Sequence, residues 1–380
     1  MATSETQHDF LRRGYTRRSF GKLATLITGG AVLPFSSEFA LAQRSMIMGD
    51  IPPDAVMING NENPMGPCPE AAEAAHKIIA GGGRYHFEKT FMLRDTAAES
   101  EGLKPDYVMP FAGSSDPLLR VVMAFCSPQK GFVAADPGYE AGAMTAEYVG
   151  AKVSRVPLVT DSYAHDVKAM AKADPNAGVI YVCNPNNPSG TLTPRSDIEY
   201  LLENKPKGSI LLLDEAYIHI AHAHTCQDLV VKDKDVIILR TFSKLYGMAG
   251  MRAGLAMGRP DLLKKLGPLG SRMTPTTGMV AAAASLKVKN LVPERRKIIK
   301  DIRDDVFSFL DGRKIKFIPS DSNCFMLDTK RPASEFAQAM AAKKVYVGRS
   351  WPVWQTYSRI TVGSKDDMEK FKKAAAEVMG

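Results

Sequence analysis

Residue types that can carry chemistry follow directly after apolar runs of the chain. Asp214 follows one run, and Ser243 and Lys244 follow the next, with Arg252 eight residues further on. An amine can attack a carbonyl and carry a proton, whereas hydroxyl and guanidinium groups bind anions. Each residue also has an ordinary structural explanation, since Asp214 could cap a helix and Lys244 could lie on the solvated surface.

The apolar runs predict buried parallel strands of an α/β protein. They alternate with helical patterns between about residues 105 and 260, and the clearest are Val179–Cys183, Ile210–Leu213 and Val236–Leu239. Unbroken apolar strands are typical of parallel sheets with both faces covered. Because ligands bind outside the carboxyl ends of such strands, we expect the polar residues that follow the runs to share one rim.

Residues 285–380 have a different pattern and predict a smaller α+β lobe. A charged amphipathic helix is expected over Pro293–Leu310, and a further helix closes the chain. Short strands are expected between them, at Ile315–Ile318, Asn323–Leu327, Val345–Val347 and Arg359–Val362. The predicted organisation is a signal peptide at 1–42, a segment joining the small domain at 43–84, a large domain at 85–284 and a small C-terminal domain at 285–380.

Five motifs, taken in order, resemble one enzyme family. They are Asn61-Glu62-Asn63-Pro64, the loop Asn184–Gly190, Asp214-Glu215-Ala216-Tyr217, Thr241-Phe242-Ser243-Lys244 with Gly247, Gly250 and Arg252, and Arg359-Ile360-Thr361-Val362-Gly363. The pattern resembles the pyridoxal-phosphate-dependent class I/II aminotransferases of fold type I, most closely their histidinol-phosphate aminotransferase branch. The resemblance covers nearly all of the chain after residue 60. It implies a homodimer whose large domain has a mostly parallel, seven-stranded sheet between helices, beside a smaller α+β domain.

The resemblance assigns the contacts of the cofactor ring to five residues. Lys244 matches the lysine that binds pyridoxal 5'-phosphate as a Schiff base and later moves a proton. Asp214 matches the carboxylate that pairs with the ring nitrogen, and Tyr217 and Asn187 match the residues that hydrogen-bond the ring hydroxyl. Tyr139 matches the aromatic residue that stacks on the ring, although it could also be a half-buried core tyrosine.

The cofactor phosphate is expected at the beginning of a helix. Ser114, Ser115 and Asp116 precede the helical run Leu118–Phe125, and a helix N-terminus binds anions through its backbone amides. Ser115 or Asp116 could equally cap that helix. By resemblance, further residues complete the phosphate site, one of them reaching in from the other subunit: Thr241, Ser243, Arg252 and the partner's Tyr85.

The resemblance also implies the substrate contacts and the reaction. Arg359 matches the arginine that binds the substrate α-carboxylate in a planar, bidentate pairing. Arg349 occupies the region where the histidinol-phosphate branch binds the substrate phosphate, and Asn63 is a further expected substrate contact. The expected reaction moves an amino group between an amino acid and a 2-oxo acid. A lyase or decarboxylase on the same fold, and a non-catalytic periplasmic binding protein, remain as alternatives.

The chain departs from the family pattern in two regions near the expected site. Pro117 stands where an acidic residue is usual, and His86 follows Tyr85 where the histidinol-phosphate branch has proline. Trp351, Trp354 and Tyr357 lie between the two expected substrate arginines. This aromatic loop indicates a large or aromatic substrate side chain, although the rings could simply pack the small domain.

The first 42 residues resemble a twin-arginine export signal. Arg17-Arg18 and Lys22 precede a moderately apolar stretch, Leu23–Phe35, and Ala40-Leu41-Ala42 offers a cleavage site. An amphipathic or disordered N-terminus is the alternative, and a stable membrane anchor is not expected because the apolar stretch is short and interrupted. The sequence therefore predicts a periplasmic enzyme that meets the twin-arginine translocation machinery during export.

The charge distribution and the spacing of the cysteines and histidines indicate neither a nucleic-acid partner nor a metal site. Part of the net charge of +8 lies in the first 42 residues, and the remaining +6 is spread along the chain without a basic run, so we expect no nucleic-acid partner. The five cysteines are widely spaced and are expected mostly in the core. His219, His222 and His224 do not have the spacing of a zinc site, and no metal is expected.

Overall fold

The computed structural model describes residue 9 and residues 11–16, 51–270 and 273–380. The expected twin-arginine pair, apolar stretch and cleavage site lie outside these ranges. None of the helices within them is both long and apolar enough to span a bilayer. The same ranges contain no cluster of three or more histidine, cysteine or carboxylate side chains suited to a metal ion.

A seven-stranded sheet forms the centre of the large domain. Its strands are β2 (Val108–Phe111), β3 (Gly131–Asp136), β4 (Val153–Pro157), β5 (Ala177–Cys183), β6 (Ile210–Asp214), β7 (Val236–Thr241) and β8 (Gly254–Gly258). The spatial order is β2-β8-β7-β6-β5-β3-β4, and β8 runs antiparallel to both of its neighbours. Every residue of β5, β6 and β7 is buried, as expected for strands covered on both faces. The predicted α/β fold is confirmed.

Helices cover this sheet. In chain order they are α1 (Pro69–Ile79), α2 (Phe87–Glu101), α3 (Ser115–Phe125), α4 (Ala141–Tyr148), α5 (Val167–Lys172), α6 (Arg195–Asn204), α7 (Gln227–Val231), α8 (Pro260–Leu263) and α9 (Thr276–Leu286). Helices α1 and α2 pack against α9, while α3 packs against α4 and against β5 and β6. Helix α3 therefore lies directly beside the strands whose ends carry the polar motifs.

The C-terminal part of the chain forms a smaller α+β unit. It contains α10 (Leu291–Gly312), β9 (Phe317–Ile318), β10 (Cys324–Asp328), α11 (Ala333–Ala341), β11 (Val345–Val347), β12 (Tyr357–Thr361) and α12 (Lys365–Met379). Strands β9, β10 and β12 form an antiparallel sheet, and β11 pairs in parallel with β1 (Val56–Ile58). The strand expected from Ile315 begins only at Phe317, because Lys314 has a left-handed backbone (φ 57) that ends the preceding helical segment.

The short N-terminal segment 11–16 packs against the end of α3. Arg13 Nη2 donates to the carbonyl oxygens of Met123, Ala124 and Cys126 at 2.7, 3.1 and 2.9 Å. Tyr15 is buried, and its hydroxyl donates to the Cys126 carbonyl. A cation at these carbonyls stabilises the C-terminal end of a helix, where its last carbonyl groups lack helical partners.

Candidate active site

One pocket collects most of the residues that the sequence analysis assigned to a cofactor. It lies at the carboxyl ends of β5, β6 and β7 and at the beginning of α3, which is the rim expected for a parallel sheet. Its lining residues are Ser114, Ser115, Leu118, Tyr139, Cys183, Asn187, Asp214, Ala216, Tyr217, Thr241, Ser243, Lys244 and Arg252. Three separate strands therefore deliver an amine, a carboxylate and an amide to one place.

Lys244 follows β7 and is almost completely buried. Its Nζ lies 5.6 Å from the ring centroid of Tyr217, which comes three residues after the end of β6. The Tyr217 hydroxyl in turn accepts a hydrogen bond from Asn61 Nδ2 at 3.1 Å. The lysine amine and the tyrosine hydroxyl are thus held on one side of the pocket by groups from both domains.

Asp214, the last residue of β6, is held in a fixed orientation at the base of the pocket. Its Oδ2 accepts a hydrogen bond from the Tyr181 hydroxyl at 2.9 Å, and its Oδ1 accepts one from the Ala216 amide at 3.1 Å. Burial, and secondarily the Asp214 carboxylate, raise the pKa of Tyr181 well above its usual value. Tyr181 therefore remains a donor, and hydrogen bonds to an ionised carboxylate favour its charged form.

The other end of the pocket is built to hold an anion. Ser114 and Ser115 lie at the N-terminus of α3 and line the pocket, and the N-cap residue Ser114 makes no capping hydrogen bond through its side chain. Thr241 Oγ1 donates to Ser243 Oγ at 2.9 Å, and Arg252 Nη1 lies 3.4 Å from that same oxygen. Four hydroxyl groups and one guanidinium group therefore converge on this end.

Gly113 allows Arg252 to enter this anion site. Its φ of 87° lies in the left-handed region, and a Cβ placed there would lie 2.3 Å from Arg252 Nη2. Arg252 Nη2 also lies 3.4 Å from the Ala112 carbonyl oxygen. A side chain at position 113 would displace the guanidinium group from the cradle.

Arg359, on β12, brings the small domain to the edge of the site. Its Nη1 donates to Asn187 Oδ1 at 3.0 Å and its Nη2 to the Asn59 carbonyl at 2.8 Å. The guanidinium group is buried, and the described residues provide no acceptor for its Nε. A buried, unused donor on a positive group is suited to a carboxylate ligand.

Four expected contacts do not reach the pocket within this subunit. Asp116 forms an ion pair with Arg120, at 2.6 Å, because an i,i+4 partner on α3 draws its carboxylate away. Asn63 donates to the Leu245 carbonyl and therefore does not contact the site through its amide. Tyr85 is 71% exposed. Arg349 forms an ion pair with a carboxylate, which is described below.

Three residues with clear roles in the site were missed in the sequence analysis. Tyr181 holds Asp214, and its only signal was a hydroxyl within an otherwise apolar run. Asn61 holds Tyr217 and has a left-handed backbone (φ 52), a conformation that asparagine tolerates well. Gly113 makes room for Arg252. Of the first motif, the structure therefore brings Asn61 rather than Asn63 to the site.

The structure also shows the surroundings of the cysteines and of the histidine cluster. All five cysteines are buried as free thiols, in agreement with the expected core positions. His219 is partly buried, and its Nε2 lies 3.1 Å from Arg240 Nη1. Burial, and then the charges of Arg240 and Arg296, lower the pKa of His219 well below its usual value, so it stays neutral. His222 and His224 are exposed.

The chemistry of the donor set fits pyridoxal phosphate. A phosphate group matches the hydroxyl and guanidinium groups around Gly113, and a protonated ring nitrogen matches the buried Asp214 carboxylate. A carbonyl group matches the Lys244 amine, and the Tyr139 ring lines the same pocket.

Comparison with known proteins agrees with this class of site. The family model for aminotransferase class I and II matches residues 53–376. Histidinol-phosphate aminotransferase of Bacillus subtilis is 31% identical over 333 residues, covering 85% of this chain and 91% of that protein. Aromatic amino acid aminotransferase of Cutibacterium acnes is 29% identical over 331 residues, covering 86% and 93%.

A solved structure agrees with the fold. The histidinol-phosphate aminotransferase of Sinorhizobium meliloti, in complex with pyridoxal-5'-phosphate, superimposes with a TM-score of 0.79 over 96% of this chain and 98% of that one. At 24% identity this likeness concerns the fold. Fold and site together define a fold-type I pyridoxal-phosphate enzyme. The chain belongs to the class I and II aminotransferase family, and it is a pyridoxal-phosphate-dependent aminotransferase.

Proposed function

We propose that the enzyme transfers the amino group of an amino acid with a large, aromatic side chain to a 2-oxo acid. The observation that carries this proposal is the environment of Arg359. Its buried guanidinium group has an unused donor for an α-carboxylate and lies 5.6 Å from a ring centroid of Trp351. Relatives that act on aromatic amino acids and on histidinol phosphate support a substrate of this size.

Each residue of the site has a separate role in this reaction. When bound, pyridoxal phosphate supplies an electron sink for the bond that breaks at the substrate α-carbon. Asp214 keeps the ring nitrogen protonated, and Arg359 binds and orients the carboxylate. The Lys244 amine would take up and return the proton that is exchanged at the substrate α-carbon. Tyr217 and Asn187 fix the orientation of the ring.

The aromatic loop contributes only in part to the substrate region. Trp354 packs edge-on against Tyr163 and beside Tyr357, so these rings fill the contact between the small domain and the large-domain segment that carries Tyr163. Trp351 is buried against Ile318 and Met326, and it also contacts Arg359. Trp351 is therefore the ring of this loop that we assign to the substrate.

Half-reactions with single amino acids test the proposed substrate class. Purified, cofactor-loaded enzyme is titrated with phenylalanine, tyrosine, tryptophan, histidinol phosphate and aspartate, and the visible cofactor band and the oxo-acid product are measured. We expect the aromatic amino acids to bleach the band and a 2-oxo acid to restore it. Release of carbon dioxide or ammonia instead of an oxo acid would support the lyase or decarboxylase alternative. The Lys244→Ala variant is the inactive control.

We also propose that two subunits form a homodimer with shared sites. Tyr85, Phe87, Phe91 and Ile79 are exposed apolar side chains on neighbouring segments, and Tyr85 stacks on Phe87. Such a patch is typical of an interface between subunits. The exposed Tyr85 ring is available to the phosphate site of a second subunit.

Mixing of two defective subunits tests the shared site. Lys244→Ala subunits and Tyr85→Ala subunits are dissociated, mixed and reassociated, and the cofactor affinity and turnover are measured. If Tyr85 contributes to the phosphate site of the other subunit, each hybrid dimer contains one intact site and activity returns. If Tyr85 serves its own subunit, neither site in the hybrid is intact and mixing restores nothing.

We propose, finally, that the enzyme is exported to the periplasm by the twin-arginine route. The support is the order of Arg17-Arg18, Leu23–Phe35 and Ala40-Leu41-Ala42 in the sequence. Fusion of residues 1–42 to a reporter that is active only after folded export tests this route. We expect Arg17→Lys with Arg18→Lys to keep the reporter in the cytoplasm. Export of that double variant at the unchanged level would contradict the proposal.

A further inference from the structure

Arg349 lies beside Arg359, the residue proposed to bind the substrate carboxylate. The Arg359 amide donates to the Arg349 carbonyl at 3.1 Å, and the Gly348 amide donates to the Arg359 carbonyl at 2.8 Å. The guanidinium carbons of the two arginines lie 4.0 and 5.6 Å from ring centroids of Trp351. Two guanidinium groups therefore flank one buried indole.

The two arginines differ in their available charge. Arg349 Nη1 and Nη2 donate to the two carboxylate oxygens of Glu140, at 2.6 and 2.5 Å, in a bidentate pair that is largely buried. Arg359 has only the neutral partners Asn187 and Asn59, and no carboxylate of the described chain lies within ion-pair distance of it. The positive charge of Arg349 is thus cancelled, whereas that of Arg359 is available to a ligand.

Glu140 is fixed in place by the element that carries it. It directly follows Tyr139, which lines the cofactor pocket, and it stands at the N-terminal boundary of α4. The loop before it is tied to the small domain, because Trp351 Nε1 donates to the Gly138 carbonyl at 3.0 Å. Glu140 therefore faces Arg349 across the boundary between the two domains without needing a ligand to place it.

We propose that Glu140 is a specificity-determining residue that selects a carboxylate over a phosphate at this anion subsite. A carboxylate has one negative charge, which Arg359 alone matches. A phosphate monoester has a charge of about −1.5 to −2 near neutral pH, and it would need a second available cation. Glu140 cancels the charge of that second cation and occupies its donor groups, so a phosphate would meet only one available cation.

This inference rests on the proposed function and narrows its substrate class. Histidinol phosphate has a phosphate ester where an amino acid has its α-carboxylate. The enzyme should therefore prefer aromatic amino acids over histidinol phosphate. The preference would reside in one ion pair rather than in the shape of the pocket.

Substitution of Glu140 tests the charge argument. Glu140→Gln keeps the size of the side chain and removes its charge, so Arg349 gains an available positive charge. We expect kcat/KM for histidinol phosphate, relative to phenylalanine, to rise at least about tenfold, with the change mainly in KM. The double variant Glu140→Gln with Arg349→Gln should lose this gain. Glu147→Gln is the matched control, because Glu147 is on the same helix in an exposed pair with Arg155.

Different experimental outcomes would contradict the role of Glu140 and the proposed function. An unchanged substrate ratio in correctly folded Glu140→Gln and Glu140→Ala enzymes overturns the role of Glu140. Competitive inhibition by inorganic phosphate, measured with saturating cofactor, gives a second readout that needs no phosphorylated substrate, and we expect it to become at least about tenfold stronger in both variants. If no aromatic amino acid reacts with the wild-type enzyme while this shift in phosphate inhibition is seen, the proposed function fails and the assignment of Glu140 stands.

Discussion

Asp214 depends on a residue that neither touches the cofactor pocket nor belongs to a motif. Tyr181 donates to its Oδ2 from the middle of β5. We expect Asp214→Asn to lower kcat about 100-fold or more, because an amide cannot hold the ring nitrogen in its protonated form. Tyr181→Phe should lower kcat only about tenfold, since Asp214 keeps its charge and its bond from Ala216. Single-turnover kinetics with phenylalanine measures both effects.

One outcome for the Asp214→Asn variant would contradict the role assigned to this carboxylate. Equal kcat values for Asp214→Asn and wild-type enzyme, with the cofactor still bound, would show that the carboxylate does not control the ring nitrogen. Tyr200→Phe is a suitable control for removal of a tyrosine hydroxyl, because Tyr200 lies on α6 and does not line the pocket.

At the residue scale, sequence motifs predicted the reactive groups better than their supporting contacts. Lys244, Asp214, Thr241 and Ser243 could be predicted because each follows an apolar strand at a fixed place in a motif. Asp116 was placed in the cradle by the same reasoning, but its i,i+4 pairing with Arg120 depends on side-chain geometry that the motif does not contain.

Helix α3 and the glycine before it form the element that is expected to bind the cofactor phosphate. In Gly113→Ala, the new Cβ would meet Arg252 Nη2 at 2.3 Å in a left-handed backbone. We expect the dissociation constant of pyridoxal phosphate to rise about 10- to 100-fold, because the guanidinium group must leave the cradle. Fluorescence titration of apoenzyme with the cofactor measures this change.

Gly102→Ala separates backbone strain from the loss of the arginine contact. Gly102 also has a positive φ, of 66°, but nothing lies within 4 Å of a Cβ at that position. This control should lose stability and keep its cofactor affinity. If both variants bind the cofactor equally weakly, the effect of Gly113→Ala does not come from Arg252.

At the element scale, the parallel strands could be predicted almost to their ends. Their sequences are largely unbroken and apolar because both faces of the sheet are covered. Strand β6 ends at its first polar residue, Asp214, whereas β7 continues through Arg240 to Thr241. Short strands of the small domain are harder to predict, and β9 begins two residues later than expected because Lys314 turns the chain. This turn cannot be predicted from local hydropathy.

His165 is buried, and its protonation should lower the free energy of unfolding of the whole molecule in mild acid. Burial lowers the pKa of His165 to about 4, from an ordinary value of 6.5, and its Nδ1 lies 2.8 Å from Thr193 Oγ1. The folded state therefore disfavours protonation of this ring. The resulting stability is fully present above pH 6.5 and is lost as the pH falls towards 4, by about 3 kcal/mol over this window.

Chemical unfolding at pH 7 and pH 4.5 tests the role of His165. The His165→Gln variant cannot titrate in this range, so its free energy of unfolding should fall less than that of the wild type. His219 contributes the same direction of change in both proteins. His222→Gln, on the exposed surface, is the control. An identical decrease for His165→Gln and wild type would contradict the assignment.

At the scale of the whole molecule, contacts between the domains could not be predicted from motifs. The bidentate pair of Arg349 with Glu140 joins residues more than 200 positions apart in the sequence. Arg349 was expected to bind a substrate phosphate, because it occupies the region that binds the phosphate in the histidinol-phosphate branch. The fold brings that partner from the beginning of α4.

The attachment of the cofactor to Lys244 is the central claim, and one measurement tests it directly. Holoenzyme is reduced with borohydride, digested, and analysed by mass spectrometry for the lysine that bears the reduced pyridoxyl group. We expect the label on Lys244, in the segment that follows β7, and we expect none in Lys244→Ala. Stoichiometric labelling of another lysine, or no labelling of a folded protein saturated with cofactor, would contradict the account.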